Sequence, residues 1–127
     1  MPRKKSPTLT EAELRVMEVL WRLRRATVAE ITNALPPPPI AYNSVLTTMR
    51  ILEQKQIVAH DEAGRAFAYY PLVEREAAAQ SAVGYLLKRF FENNSGELAL
   101  RLIERERPSD AELNRLRELI ERYEGDA

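Results

Sequence analysis

Four consecutive prolines, at positions 36–39, limit what this chain can fold into more than any other stretch. Proline lacks an amide hydrogen, fixes its own φ and pushes the preceding residue out of the α region. Neither a helix nor a central strand passes through such a run, so the segments on either side must be separate elements. A polyproline ligand for an SH3-like partner is another use of a proline run. Here the run is short and lies between two helical patterns, which favours a stiff, extended turn.

Before the prolines come two helix starts. Thr10 with Glu13 forms a capping box, in which hydroxyl and carboxylate each satisfy the other residue's orphan amide. Leu14, Met17 and Trp21 then recur at i, i+3, i+7, with Val16, Val19 and Leu20 beside them. Arg22, Arg24 and Arg25 close that helix, where cations suit the dipole. Thr27 with Glu30 forms a second capping box and opens a short helix over 28–35, leaving room for a very short strand at 26–28.

After the prolines, residues 41–55 read AYNSVLTTMRILEQK. At about 100° per residue, Val45, Met49 and Leu52 share one side of a helix with Thr48 beside them, and Asn43, Thr47, Arg50 and Gln54 share the other. The second face carries amides, a hydroxyl and a guanidinium, groups that read base edges in a major groove. The helix's only acid, Glu53, points to a flank. Helix, short helix, tight turn and a longer amphipathic helix make a helix-turn-helix.

Two β-type runs follow, at 57–60 and 66–70, with a loop predicted over 61–65 in which Gly64 supplies a positive φ. Phe67 and Tyr69 fall on one strand face; Ala66, Ala68 and Tyr70 fall on the other. A hairpin directly after a recognition helix is a wing, with Arg65 at its tip.

Pro71-Leu72 marks a predicted boundary between a winged-helix DNA-binding domain, residues 1–72, and an all-helical dimerisation domain, residues 73–127. The fold class is mainly α with a small β-hairpin. The first tail helix, 74–91, carries Ala78, Ala82, Tyr85, Leu86 and Phe90 close to one stripe. Residues 92–96 break it, and a second helix spans 97–107. Ser109 with Glu112 caps a third helix, over 111–123, with Leu113, Leu116, Ile120 and Tyr123 at seam spacing. Fifty-five residues of helix lack a second layer to cover such wide apolar faces. A partner copy that covers them is favoured over a three-helix cap on the N-terminal domain.

Composition removes whole classes of chemistry. There is no cysteine and a single histidine, His60, so disulfides, cysteine-ligated metals and thiol nucleophiles are excluded. No metal, cofactor or small-molecule ligand is inferred. No nucleophile–base pair or Gly-rich phosphate loop stands out, and Glu104 and Glu106 read as solvated charges. No apolar run approaches the ~20 residues of a membrane span, and the basic start has no apolar core of a secretory signal. A cytoplasmic protein without membrane insertion is the expectation. Net charge is zero, yet residues 1–72 carry ten Lys/Arg against seven Asp/Glu, and residues 73–127 carry nine against twelve. The basic excess lies in the half that would meet DNA. An arm with Arg3, Lys4 and Lys5 could contact phosphate or act as a solubility tail.

Leu9–Trp21 (LTEAELRVMEVLW), AYNSVLTTMRILEQK, GRAFAYYPL at 64–72 and ELNRLRELI at 112–120 resemble the penicillinase-repressor family, the BlaI/MecI-type winged-helix repressors. The resemblance runs over about 9–123. The family pattern in the recognition helix is similar to Tyr-Thr-Thr-Val-x-Thr. Here Asn43 and Ser44 stand at the two threonines, and Gln56 stands where the family has the glycine that ends the helix. The resemblance implies a homodimer on a palindromic operator that blocks transcription, and a place in regulating antibiotic resistance. In the β-lactam branch it implies a membrane sensor-protease that triggers cleavage in the dimer domain, here near Arg101 and Leu102. A copper-sensing branch uses C-terminal cysteines, which this chain lacks.

On this basis Asn43, Thr47 and Arg50 are expected on base edges, Tyr42 and Leu46 against sugar or thymine methyl groups, and Ser44 and Arg65 on phosphates. Leu86, Phe90, Leu113, Leu116, Ile120 and Tyr123 are expected at the dimer seam. The alternative is a winged-helix module that binds protein through the proline segment and acidic tail, which salt-dependent retention on a DNA column would separate from the first reading.

Overall fold

The computed structural model of the chain describes residues 8–125. The predicted basic arm of Arg3, Lys4 and Lys5 lies outside them. The elements are α1 (Glu11–Leu23), β1 (Ala26–Thr27), α2 (Val28–Ala34), α3 (Tyr42–Gln54), β2 (Val58–Ala63), β3 (Ala66–Pro71), α4 (Arg75–Phe91), α5 (Ser95–Arg105) and α6 (Asp110–Gly125). The strands form one antiparallel sheet in the order β1-β3-β2. A helix-turn-helix followed by a two-stranded wing, then helices only, is the winged-helix architecture with a helical C-terminal region.

All three capping boxes form. Thr10 and Glu13 exchange amide hydrogen bonds, as do Thr27 and Glu30, and Ser109 and Glu112. α2 stops one residue before the predicted end. Leu35 precedes the first proline and is extended, at φ −66 and ψ 130, because the proline ring crowds the α conformation before it. The proline run is anchored on α1: the Arg15 guanidinium donates to the carbonyls of Pro36, at 2.8 Å, and Pro38. Proline carbonyls accept normally although their nitrogens cannot donate.

The hairpin is tighter than the predicted five-residue loop. β2 continues to Ala63, which pairs with Ala66, so the turn is Gly64-Arg65 alone. Gly64 takes φ +65 at the first central position, where two-residue hairpins of the II′ class place glycine. Asp61 and Glu62 therefore belong to the ladder, and the Asp61 carboxylate pairs with Arg25.

α5 also starts earlier than predicted. Asn94 is its N-cap, accepting from the Glu97 amide at 2.9 Å, so Gly96 lies inside the helix and not in the break before it.

The chain divides into two compact units, one ending at Tyr85 and the other beginning at Leu86. The core of the first unit draws Val16, Met17, Val19, Leu20 and Trp21 from α1, Ile31 from α2, Val45, Met49 and Leu52 from α3, and Val58 and Tyr69 from the sheet. The start of α4 joins it through Ala78. Trp21 Nε1 donates to the Val73 carbonyl at 2.9 Å, and Arg24 grips Glu74 through two 2.8 Å hydrogen bonds. These contacts hold the chain leaving β3 against α1.

In the second unit, Leu98 is the only buried residue among those described. Phe90 is 73% exposed, Tyr123 70% and Ile120 55%. Within a single chain, then, much of the apolar surface on these helices stays in water.

Candidate nucleic-acid interface

α3 is fixed from below. Val45, Met49 and Leu52 are fully buried, so the rotation of the helix about its axis is set. That places Asn43, Thr47, Arg50 and Gln54 on the exposed side, together with Tyr42 and Ser44. Leu46 is half-buried at the edge. Thr47 Oγ1 donates to the Asn43 carbonyl at 3.0 Å, leaving its lone pairs and methyl outward. Thr48 makes the same bond to Ser44, at 2.9 Å.

Among these exposed side chains there is no carboxylate. Glu53 is drawn to the flank by His60 of β2, whose Nδ1 meets its Oε2. His60 also stacks on Phe67, ring centroids 4.1 Å apart, and leans on Tyr69 across the ladder. Tyr69 is buried beneath α3; burial first, and then the Glu53 charge, pushes its hydroxyl pKa above the ordinary value, against the nearby Arg50. The hairpin is thus coupled to α3 through one aromatic cluster.

Arg65 sits exposed at the hairpin turn, and with Tyr42, Leu46 and Phe67 it borders a cleft between α3 and the hairpin. Phe67 has no place among the expected contacts. Its signal was the period of two that put it on one face with Tyr69; only the register opposite His60 shows that the two rings part, Tyr69 into the core and Phe67 toward solvent.

The exit of α3 ends in a Schellman arrangement. The Ile57 amide donates to Leu52 O at 2.9 Å and the Gln56 amide to Glu53 O at 3.0 Å. Gln56 itself takes φ +64. The chain makes here, with a glutamine, the left-handed step that glycine makes most easily.

In the second unit Leu86 and Phe90 lie beside Glu97 and Arg101 around an open cleft, while Leu116 lies beside Pro108 and Leu119. Leu113 and Leu116 are half-buried, and Leu102 is exposed.

The penicillinase repressor family model matches residues 9–122. The chain belongs to that family. The penicillinase repressor of Bacillus licheniformis is 26% identical over 121 residues, spanning 94% of each chain. Among solved structures, the DNA-binding domain of the repressor BlaI is 28% identical, with a TM-score of 0.51, over 59% of this chain and 93% of that one. A structure of the CopR repressor is 35% identical over 53% of this chain and 99% of that one, with a TM-score of 0.45. The penicillinase repressors are transcriptional repressors, not a class of enzymes. Among the described residues no helix is long and apolar enough to cross a membrane.

Proposed function

We propose that this penicillinase repressor-family chain acts as a dimer that reads a palindromic operator in double-stranded DNA. The observation that carries this is the division of α3: one face fully buried, the other an exposed, acid-free set of Asn43, Thr47 and Arg50. Arg50 suits a guanine and Asn43 an adenine in the major groove, each good bidentate contact worth roughly 1–3 kcal/mol of discrimination. Tyr42 and Leu46 offer apolar contact at the helix edge, and Ser44 and Arg65 suit phosphates. Residues 1–72 would then be the DNA-binding part and residues 73–127 the dimerisation part. The likeness to the BlaI DNA-binding domain supports the same reading.

The open stripes of the tail support the dimer. Leu86, Phe90, Leu113, Leu116, Ile120 and Tyr123 are the residues that a second copy would cover. Two half-site contacts made by one molecule reinforce each other through effective concentration. A signal that breaks the dimer therefore releases the operator. Cleavage in the region of Arg101 and Leu102 is the form the family implies, with a membrane sensor-protease as the partner. A protease needs extended chain, so α5 must unwind locally. It has one buried residue, and among the described residues Arg101 is held by Glu97 at 3.3 Å and by the Phe91 ring at 5.4 Å.

Selection of bound sequences from a random duplex library, at about 150 mM salt to suppress non-specific phosphate binding, tests this. Enrichment of a palindrome with half-sites one helical turn apart, or a multiple of that, is the expected result. Salt-sensitive retention with no enriched sequence would refute operator recognition.

A further inference from the structure

The cleft between α3 and the hairpin has a volume of about 260 Å³. Tyr42 and Leu46 of α3 and Phe67 of the hairpin line it, together with Thr27, Val28 and Ala29. Among the described residues Arg65 is the one charged residue in its lining, which holds no carboxylate. Phe67 is 49% exposed, as is Tyr42. An aromatic ring left in water at a hairpin end contributes little to the core, yet this one is not loose. His60 stacks beneath it with an interplanar angle of 22°, and His60 is in turn held by Glu53 of α3.

We propose that this cleft seats one deoxyribose–phosphate unit of the duplex, which makes Phe67 a DNA-contact residue. The assignment rests on the operator-binding reading above. With α3 in the major groove and the hairpin beyond the groove's edge, the backbone strand that divides the two grooves has to cross the space between them. The repeating unit of that strand is an apolar sugar face next to an anionic phosphate. The cleft offers the complement: three apolar side chains for the sugar and a single guanidinium for the phosphate. An apolar ligand alone would leave Arg65 unused, and a free anion would gain nothing from Tyr42, Leu46 and Phe67. His60 acts as a positioning residue, fixing the ring before DNA arrives and so lowering the ordering cost of binding.

A sugar contact carries no sequence information, and that sets the test. The full-length protein and its Phe67→Ala and Phe67→Leu variants are titrated against the selected palindrome and against a random duplex of equal length. Phe67→Ala is expected to weaken both by a similar factor, roughly tenfold per half-site; Phe67→Leu is expected to keep most of the affinity. A scan of neutral methylphosphonate linkages should find one phosphate per half-site whose neutralisation weakens the wild type but costs Arg65→Ala nothing further. This scan uses no Phe67 variant, so it decides the matter even if Phe67→Ala folds poorly. Selective binding by the wild type with Phe67→Ala unchanged on both duplexes would overturn the seat and leave operator recognition standing. A loss confined to the palindrome would place Phe67 on a base and overturn it too. A wild type that enriches no sequence and binds no duplex would remove the operator reading and the seat together.

Discussion

The Lys55 ammonium, one residue past the end of α3, lies 2.8 Å from Glu13 Oε2 in the first turn of α1. Glu13 is the one buried charged residue among those described. Its other oxygen accepts from the Thr10 amide at 2.8 Å and from Lys55 at 2.9 Å. A single carboxylate thus closes the capping box of α1 and holds the end of α3.

Removing that carboxylate leaves Lys55 without its partner in a largely buried place and opens the N-terminus of α1. Glu13→Ala is expected to cost about 3 kcal/mol of unfolding free energy, read as a lower urea midpoint. Lys55→Met should cost less, because the methionine still fills the space and Glu13 keeps Thr10. Equal effects would mean that the ion pair, and not the cap, dominates.

The same pair gives a pH dependence with a definite sign. Burial acts to raise the Glu13 pKa, but the Lys55 and Thr10 hydrogen bonds and the Lys55 charge outweigh it and hold the carboxyl below its ordinary value of 4.5. The folded state therefore prefers the ionised form. Its stabilisation is complete above the unfolded value and is lost as pH falls through the folded one. Measured against Glu13→Gln, the wild-type advantage should be constant at neutral pH and shrink below about 4.5. A gap that persists undiminished into acid would contradict the assignment.

Gln56 provides a stabilising substitution. Its φ of +64 is a left-handed conformation that costs a non-glycine residue roughly 1–2 kcal/mol. Gln56→Gly removes that strain but gives the unfolded chain more freedom, which costs back about 0.4–1 kcal/mol. A net gain of about 0.5–1 kcal/mol is expected, visible as a higher melting temperature, with DNA affinity unchanged. A loss would mean that the Gln56 side chain makes contacts that outweigh its backbone.

Local chemistry explains which parts of the fold were legible in the sequence. The capping boxes at Thr10, Thr27 and Ser109 are four-residue codes, and each formed where the spacing put it. The burial of Val45, Met49 and Leu52 followed from the 3.6-residue period alone. The wing was harder. Asp61-Glu62-Ala63 has the composition of a loop, and only pairing with β3, with Arg25 opposite Asp61, makes it a strand. The Lys55–Glu13 pair spans 42 residues and leaves no trace in any window of the sequence. Phe67 was hidden for the same reason: its neighbours come from two other elements, His60 from β2 and Tyr42 and Leu46 from α3.

The two arginines at the interface should fail in different ways. Arg50 stands on the exposed face of α3; if that face enters the major groove as proposed, Arg50→Ala should relax preference at one base pair per half-site, by roughly 1–3 kcal/mol. Arg65, at the hairpin turn, suits a phosphate. Arg65→Ala should weaken all duplexes alike and flatten the log–log salt dependence by about one unit per half-site. Binding profiles across a randomised operator distinguish them; a shift in base preference from Arg65→Ala would reverse the two roles.

The proposed dimer seam is best tested where a substitution harms the protomer least. Ile120 is 55% exposed in the single chain, so Ile120→Asp removes little intramolecular burial, and its helix-propensity cost is about 0.5 kcal/mol or less. Leu116 is half-buried beside Pro108 and Leu119, so a charge there would mix folding with association. If a second copy covers α6, each dimer brings Ile120 into an apolar seam twice, and an aspartate there must be desolvated without a partner. Ile120→Asp should therefore sediment as a monomer with unchanged helix content, and its operator affinity should fall by about a hundredfold or more. Arg50→Ala, which touches no seam residue, should keep the wild-type mass. An unchanged mass for Ile120→Asp would refute α6 as the interface and leave its apolar stripe to a different partner.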